Sequence, residues 1–319
     1  MAFAAGLALT LASSELFARG LTRLGTKLGF SEGLLGLLAA LGADSPELSS
    51  AVIAIAAGAG TVGVGVVVGS NLFNLAALLG LPAVVAGGVL IRRAPLLLDA
   101  LVGLAAIAVA AAMIAGLLSP PAAALIALPA AAAYVLILAA PRRFRPLTRA
   151  VPQNVLELAY EVTHDIPVAQ HGAWTPVALL PLALAGVVGG SFVMVHEALT
   201  AQTWLHLSDA VLGSIALAAL TSLPNLWVAA HFARTNRGTA LFSSAMNSNT
   251  INLVGGLLVP AILFGTGATR GSLGNFTWLV VLTLLTVVAP LRQARMSRTA
   301  GVLIIAIYLV FAGLRVIGV

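Results

Sequence analysis

Asp44 and Glu47 stand three residues apart in the run GADSPELSSA, inside a stretch otherwise dominated by leucine, alanine, isoleucine and glycine. On a helix that spacing puts both carboxylates on one face. An ionised carboxylate at a bilayer centre costs at least about 2.5–3.5 kcal/mol on insertion scales, so one retained there marks a functional site by default. Two such groups, joined by amide, hydroxyl and backbone oxygens, suit a hard cation such as Ca²⁺ or Na⁺. The blander alternative is a pair of carboxylates at a water-exposed helix end. Just downstream, VVVGSNLFNLAALLGLP supplies Ser70, Asn71 and Asn74.

The same pattern returns later in the chain. One ungapped shift lays residues 36–82 on 214–260 and carries Pro46 to Pro224, Gly60 to Gly238 and Thr61 to Thr239. It also carries Ser70, Asn71 and Asn74 to Ser248, Asn249 and Asn252, and Pro82 to Pro260. Alanine and leucine matches mean little in this composition; Ser-Asn-x-x-Asn at one distance from a proline, twice, means more. The second copy reads LTSLPNLWVAA and then SAMNSNTINLVGGLLVP, with Thr221, Ser222 and Asn225 around its proline. The duplicated asparagines either line a site or join helices by hydrogen bonds, and their matched positions favour the first. Asn71 and Asn249 fit behind the ligands rather than among them.

These residues need elements to hold them. Apolar runs give ten candidate spans, near 2–20, 33–57, 60–90, 95–118, 121–140, 173–198, 208–232, 238–264, 275–291 and 299–318. The first has no basic leader and no convincing cleavage site, and reads as a transmembrane helix. Of the 16 lysines and arginines, all but Arg270 and Arg315 fall in the connections after the odd-numbered spans. The positive-inside rule then puts both termini outside and the long 141–172 connection in the cytoplasm. That connection separates a first five-helix half, 1–140, from a second, 173–319. The copies lie five spans apart and so cross the membrane in opposite directions, an inverted repeat of the kind that builds central sites in secondary transporters.

Composition agrees. The chain has 319 residues, of which 60% are hydrophobic and 8% charged, with a mean hydropathy of +1.08. Soluble domains average about 25% charged residues, so a water-facing surface is excluded, as are collagen and disordered tails. Continuous apolar runs exclude an outer-membrane barrel, whose strands alternate. Without cysteine there are no disulfides and no thiolate metal sites. The net charge of +6 is spread between apolar runs, which speaks for membrane orientation rather than nucleic acid. No phosphate-cradling glycine loop and no HExxH occur, so neither a nucleotide partner nor enzyme activity nor a cofactor is expected.

Other polar residues read less sharply. Glu15 and Glu197 occupy roughly corresponding places in the two halves and are candidates for an ion or proton path, with a partnered structural carboxylate the plainer reading. Glu161, His164 and Asp165 have helical spacing, most simply that of a solvated interfacial helix. Trp174, Trp204 and Trp278 fall near span ends, as interface anchors do.

At the repeats the sequence resembles the calcium/cation antiporter superfamily, the sodium/calcium exchanger-like membrane proteins. Their two inverted repeats have the form G-T-S-L-P-E followed by G-S-N-x-F-N or G-S-N-x-F-D. Gly42-Ala43-Asp44-Ser45-Pro46-Glu47 and Gly69-Ser70-Asn71-Leu72-Phe73-Asn74 match the first. Thr221-Ser222-Leu223-Pro224-Asn225 and Asn247-Ser248-Asn249-Thr250-Ile251-Asn252 match the second. The resemblance implies ion sites between the second, third, seventh and eighth helices, with Glu47 as the first-repeat carboxylate. It implies ligand places for Ser70, Asn74, Ser248 and Asn252, and for Thr221 and Ser222. Asn225 stands where the family has a second glutamate, Asn252 where many exchangers have aspartate, and Asp44 adds a carboxylate. The charge has moved to one repeat. The expected protein is an all-α polytopic membrane antiporter acting on inorganic cations in the cell membrane, exchanging Ca²⁺ for Na⁺ or H⁺. A monovalent cation/proton exchanger is the alternative, and a non-transporting scaffold that kept the fold a more distant one.

Overall fold

The structure, a computed structural model, describes residues 1–28, 32–139, 175–226, 238–267 and 272–318. Runs of leucine, alanine and valine with no strand-like alternation become helices, which satisfy their own backbone amides as lipid demands. These are α1 (Ala2–Lys27), α2 (Glu32–Ala56), α3 (Gly60–Val85), α4 (Arg93–Ile114) and α5 (Pro120–Ala139). After residue 175 come α6 (Leu180–Leu205) and α7 (Asp209–Thr221). Gly238–Leu253, Val254–Leu258 and Val259–Phe264 then run on as α8, followed by α9 (Leu273–Gln293) and α10 (Arg298–Val316).

Among the described residues, six stretches are long and apolar enough to cross a membrane: Gly60–Val85, Leu96–Ile114, Leu180–Leu205, Leu241–Phe264, Leu273–Leu291 and Arg298–Val316. Pro120–Leu136 and Asp209–Thr221 are apolar but shorter. Helices α1 and α2 have the length but carry Glu15, Arg19, Arg23 and Lys27, and Glu32, Asp44 and Glu47, respectively.

Prolines shape the central helices. Proline lacks an N–H and its ring crowds the carbonyl four residues back. In α2, Pro46 leaves the Gly42 carbonyl without its helical donor, and the Ser45 hydroxyl takes that carbonyl at 2.7 Å. The helix therefore continues through the proline to Ala56. In α3 and α8 a wider π turn, Leu75–Gly80 and Val254–Leu258, ends two residues before Pro82 and Pro260. The π turn gives each ring room that a regular α turn lacks. Helix α7 has its π turn earlier, at Leu212–Leu217, and ends at Thr221, three residues before Pro224.

Helix α3 is buried almost throughout and α10 mostly exposed, so the polar repeat segments lie at the centre of the bundle. Helix α2 packs against α1, α3, α6 and α8. Where α3 crosses α7 the backbones touch: a Cβ on Gly69 would stand 2.3 Å from the Ser214 carbonyl oxygen, and one on Gly213 2.4 Å from that of Val62. Only glycine permits that approach.

In this mostly helical molecule the reading of 60–90 as one span needs a correction at its end. Helix α3 stops at Val85, Gly87 and Gly88 take positive φ values of 71° and 134°, and Gly88–Leu90 forms a strand, β1. It pairs antiparallel with β2 (Arg295–Ser297), Val89 opposite Met296. Arg295 Nη2 donates to the Gly87 carbonyl at 2.8 Å. The ribbon ties the end of α3 to the turn between α9 and α10. Residues 141–172, with Glu161, His164 and Asp165, lie outside the described residues, as does Trp174. Trp204 is exposed at the end of α6, whereas Trp278 packs its ring on Phe311.

Candidate cation site

The carboxylates of α2 meet the amides of α3, α7's continuation and α8 in one buried cluster. Asn225 donates through Nδ2 to Asp44 Oδ1 at 2.7 Å and to Glu47 Oε1 at 3.1 Å, bridging the two acids. Ser248 donates its hydroxyl to Asp44 Oδ1 at 2.6 Å and accepts from Asn74 Nδ2 at 3.0 Å. Asn74 Nδ2 also reaches Glu47 Oε1 at 3.5 Å, and Asn252 Nδ2 makes a close contact with Glu47 Oε2. Asn225 is the most exposed of these six side chains, at 3%.

A second tier lies behind. Asn252 Nδ2 donates to Asn71 Oδ1 at 3.1 Å, and Asn71 Nδ2 to the Asn249 backbone carbonyl at 3.1 Å. The shift that aligns the two repeat copies also carries Glu47 to Asn225 and Asn71 to Asn249, so equivalent positions of the copies meet directly.

Around the two carboxylates the amide donors are used and several acceptors are not, while in the tier behind both side-chain amide atoms of Asn249 are without a partner. The amide nitrogens of Asn74, Asn225 and Asn252 point at carboxylates, while Asp44 Oδ2, Asn74 Oδ1 and Asn252 Oδ1 are buried without a hydrogen-bond partner. A buried polar atom without a partner is costly. Two such amide oxygens beside two carboxylates, one of which has a free oxygen, are the kind of donor set that suits a hard cation. Among the described residues no group of three or more acids and histidines occurs, so neutral amide oxygens must complete any such coordination.

The other residues picked out from the sequence fall beside or away from the cluster. Ser70, Thr221 and Ser222 are buried, with their hydroxyls on the carbonyls of Val66, Leu217 and Ala218 in their own helices, and those of Ser70 and Ser222 also stand against the Glu47 carboxylate. Their oxygen lone pairs remain. Glu15 is on the surface, paired with Arg19 one turn on at 2.7 Å, and Glu197 is half-buried on α6. The structure brings neither to the carboxylate pair.

One buried acid escaped the sequence reading. Asp99, on α4, accepts from Ser243 of α8 at 2.5 Å and is in hydrogen-bond contact with Tyr134 of α5 at 2.9 Å. An aspartate inside an apolar run was the available signal. Its partners are remote in sequence, and it falls only a few residues beyond the Arg92–Arg93 pair, where it reads as an interfacial charge.

Comparison with known proteins adds the following. The family model described as "Sodium/calcium exchanger protein" matches residues 1–141 and 175–317. The putative antiporter CaxA of Alkalimonas amylolytica is 41% identical over 86 residues, 27% of either protein. The sodium/calcium exchanger MaX1 of Methanosarcina acetivorans is 37% identical over 79 residues, 24% of this chain and 23% of that one. The aligned part is thus about a quarter of each relative's length. A solved structure of the sodium-calcium exchanger NCX_Mj, soaked with Na⁺ and Sr²⁺, superposes with a TM-score of 0.64 at 22% identity, covering 98% of this chain and 96% of that one. That likeness concerns the fold.

Proposed function

The chain belongs to the sodium/calcium exchanger protein family, and from that premise we propose that it is a secondary active antiporter exchanging Ca²⁺ for Na⁺ or H⁺ at the Asp44–Glu47 cluster. The observation that carries this reading is the cluster's polarity: amide nitrogens turned to the acids, and oxygens of Asp44, Asn74 and Asn252 left without partners. Two carboxylates balance the charge of one divalent ion, which offsets much of the cost of drying it. On binding, the ion takes the unpartnered oxygens and those of Glu47, with Ser248 and Asn225 in reach. Ser70, Thr221 and Ser222 offer lone pairs from the surrounding helices, and Asn71, itself held by the Asn249 backbone carbonyl, keeps the Asn252 amide in place.

In this reading the chain has ten spans, two inverted five-helix halves over 1–140 and 173–319, both termini outside and 141–172 in the cytoplasm. The equivalence of the two copies supports a site near the midplane, opened alternately to either side by movement of one group of helices against the other. The backbone contact of Gly69 with Ser214 supports a rigid α3–α7 core around which that movement takes place.

The test is radiolabelled Ca²⁺ uptake into proteoliposomes under an imposed Na⁺ gradient and then an imposed H⁺ gradient. Uptake driven by one gradient and abolished by its collapse is the expected result. A second reading, a monovalent cation/proton exchanger, is favoured by Asn225 and Asn252 standing where the resemblance leads one to expect carboxylates. Uptake of Na⁺ or K⁺ against a proton gradient, with no Ca²⁺ uptake, decides for it.

A further inference from the structure

With the Asn247 amide oxygen facing Tyr134, the Asp99 cluster contains more hydrogen-bond contacts than it has protons if Asp99 is charged. Three oxygen pairs are in contact: Ser243 Oγ with Asp99 Oδ2 at 2.5 Å, Tyr134 Oη with Asp99 Oδ1 at 2.9 Å, and Tyr134 Oη with Asn247 Oδ1 at 2.5 Å. Ser243 and Tyr134 bring one proton each. A charged Asp99 brings none, so it is accommodated only with the Asn247 amide turned, its nitrogen donating to Tyr134 Oη and Tyr134 donating to Asp99. A neutral Asp99 brings the third. Its Oδ1–H donates to Tyr134 Oη, the Tyr134 hydroxyl donates to Asn247 Oδ1, and Ser243 donates to Asp99 Oδ2. The arrangement is then complete.

The surroundings fit a neutral acid. Asp99 is 1% exposed and Tyr134 3%. The helices packed on α4 bring few charges: α5 has only Tyr134, Gly238–Leu253 of α8 has no titratable residue, and the one such residue of α9, Arg292, is in its last turn. On α4 itself Arg93 is exposed six residues ahead, about 9 Å along the helix. Asp99, Tyr134 and Ser243 all lie within two turns of the bundle end where α4 begins, α5 ends and α8 begins. A proton entering from that end has a short path.

Asn247 is followed by Ser248, whose hydroxyl bonds Asp44. We propose that Asp99 is a proton-binding site, and that its occupancy sets the direction of the Tyr134 hydroxyl and so couples pH to α8 at the cation cluster. When the proton leaves Asp99 for water, the Tyr134 hydroxyl turns from Asn247 to the new carboxylate. Asn247 loses its donor, and the segment of α8 that carries Ser248 loses an anchor. The consequence for transport rests on the reading of Asp44 and Glu47 as the cation site; the proton site does not.

Infrared difference spectra of the purified protein between acid and alkaline buffers test the proton site without any transported ion. A protonated-carboxyl band present at neutral pH, lost in Asp99→Asn, shifted in Tyr134→Phe and persisting in Glu47→Gln is the expected result. No loss in Asp99→Asn, or no shift in Tyr134→Phe where Asp99→Asn fails to fold, overturns the proposal. The same spectra should show the tyrosine C–O band moving with the carboxyl band, and a tyrosine band that stays fixed overturns the switch. Radiolabelled Ca²⁺ uptake in proteoliposomes then reads the coupling. Wild type should change by about fivefold or more across that pH range, and Asp99→Asn and Tyr134→Phe should flatten the profile. An unaltered profile in both variants overturns the coupling. Wild type that transports no Ca²⁺ while the carboxyl band behaves as expected rejects the functional reading and leaves the proton site standing.

Discussion

The two proline segments of the repeat, 42–47 and 220–225, keep a common frame and divide the chemistry unequally. In α2 the Ser45 hydroxyl takes the carbonyl that Pro46 leaves, and the helix runs on with Asp44 and Glu47 buried inside it. The equivalent of Ser45 in the second copy is Leu223, partly exposed, and there α7 ends at Thr221 and the chain turns at Ser222. The acids of the first copy face Ser222 and Asn225 in the second. What the difference teaches is that a duplicated backbone constrains geometry more than charge: Asn225 still reaches both carboxylates, although it carries none.

The comparison breaks most sharply at Glu47. Glu47→Gln removes the acid that accepts from Asn74, Asn225 and Asn252. It also removes half of the negative charge offered to a divalent ion, so Ca²⁺ exchange in proteoliposomes should fall by about 100-fold or more. Size-exclusion profiles and membrane yield should stay at the wild-type level. Asp44→Ser comes next. It makes the two copies alike at this position, since Ser222 is its counterpart, and leaves one carboxylate for a divalent ion. Calorimetry should register Ca²⁺ affinity lowered by about tenfold or more, with monovalent binding less affected.

Much of this site was legible before any coordinates. Proline and asparagine are rare in an apolar chain, so their recurrence at one shift stands out, as do two acids inside one copy, and the structure joins the asparagines and the acids by direct hydrogen bonds. Other features left no such trace. The β1–β2 ribbon consists of three-residue strands, too short for an alternation pattern, and rests on positive φ at Gly87 and Gly88. The Asp99 cluster draws single residues from three helices far apart in sequence, with no repeat to reveal it. The hydroxyls of Ser70, Thr221 and Ser222 are as prominent in the motifs as Ser248, yet they bond their own backbones. Sequence types a hydroxyl; the local turn decides where its proton goes.

Restoring symmetry from the other side sharpens the comparison. Asn225→Glu puts a carboxylate opposite Glu47, within reach of Asp44 as well. A third negative charge in a dry site strengthens attraction for divalent over monovalent ions, and it also removes the amide donor that links the two acids. The Ca²⁺-to-Na⁺ preference, measured by competition in the uptake assay, should shift by about tenfold toward Ca²⁺. An unmoved preference would remove Asn225 from the ion's surroundings.

The smallest effect should come from Ser45, and it isolates the backbone half of the comparison. Ser45→Ala keeps every group of the carboxylate cluster and deletes only the hydroxyl that takes the Gly42 carbonyl at 2.7 Å. Because Pro46 has no N–H to offer, that buried carbonyl is left without a donor, at a cost of about 1–3 kcal/mol. Thermal unfolding in detergent should show a lower midpoint, while Ca²⁺ affinity in the folded fraction changes by less than about threefold. At Leu223 α7 has ended and a new helical turn, 223–226, begins, so Leu223→Ala removes no such repair and should leave the midpoint near wild type. Equal losses in the two variants would mean that Ser45 does not carry the helix through its proline, and that the unequal run of α2 and α7 has another cause.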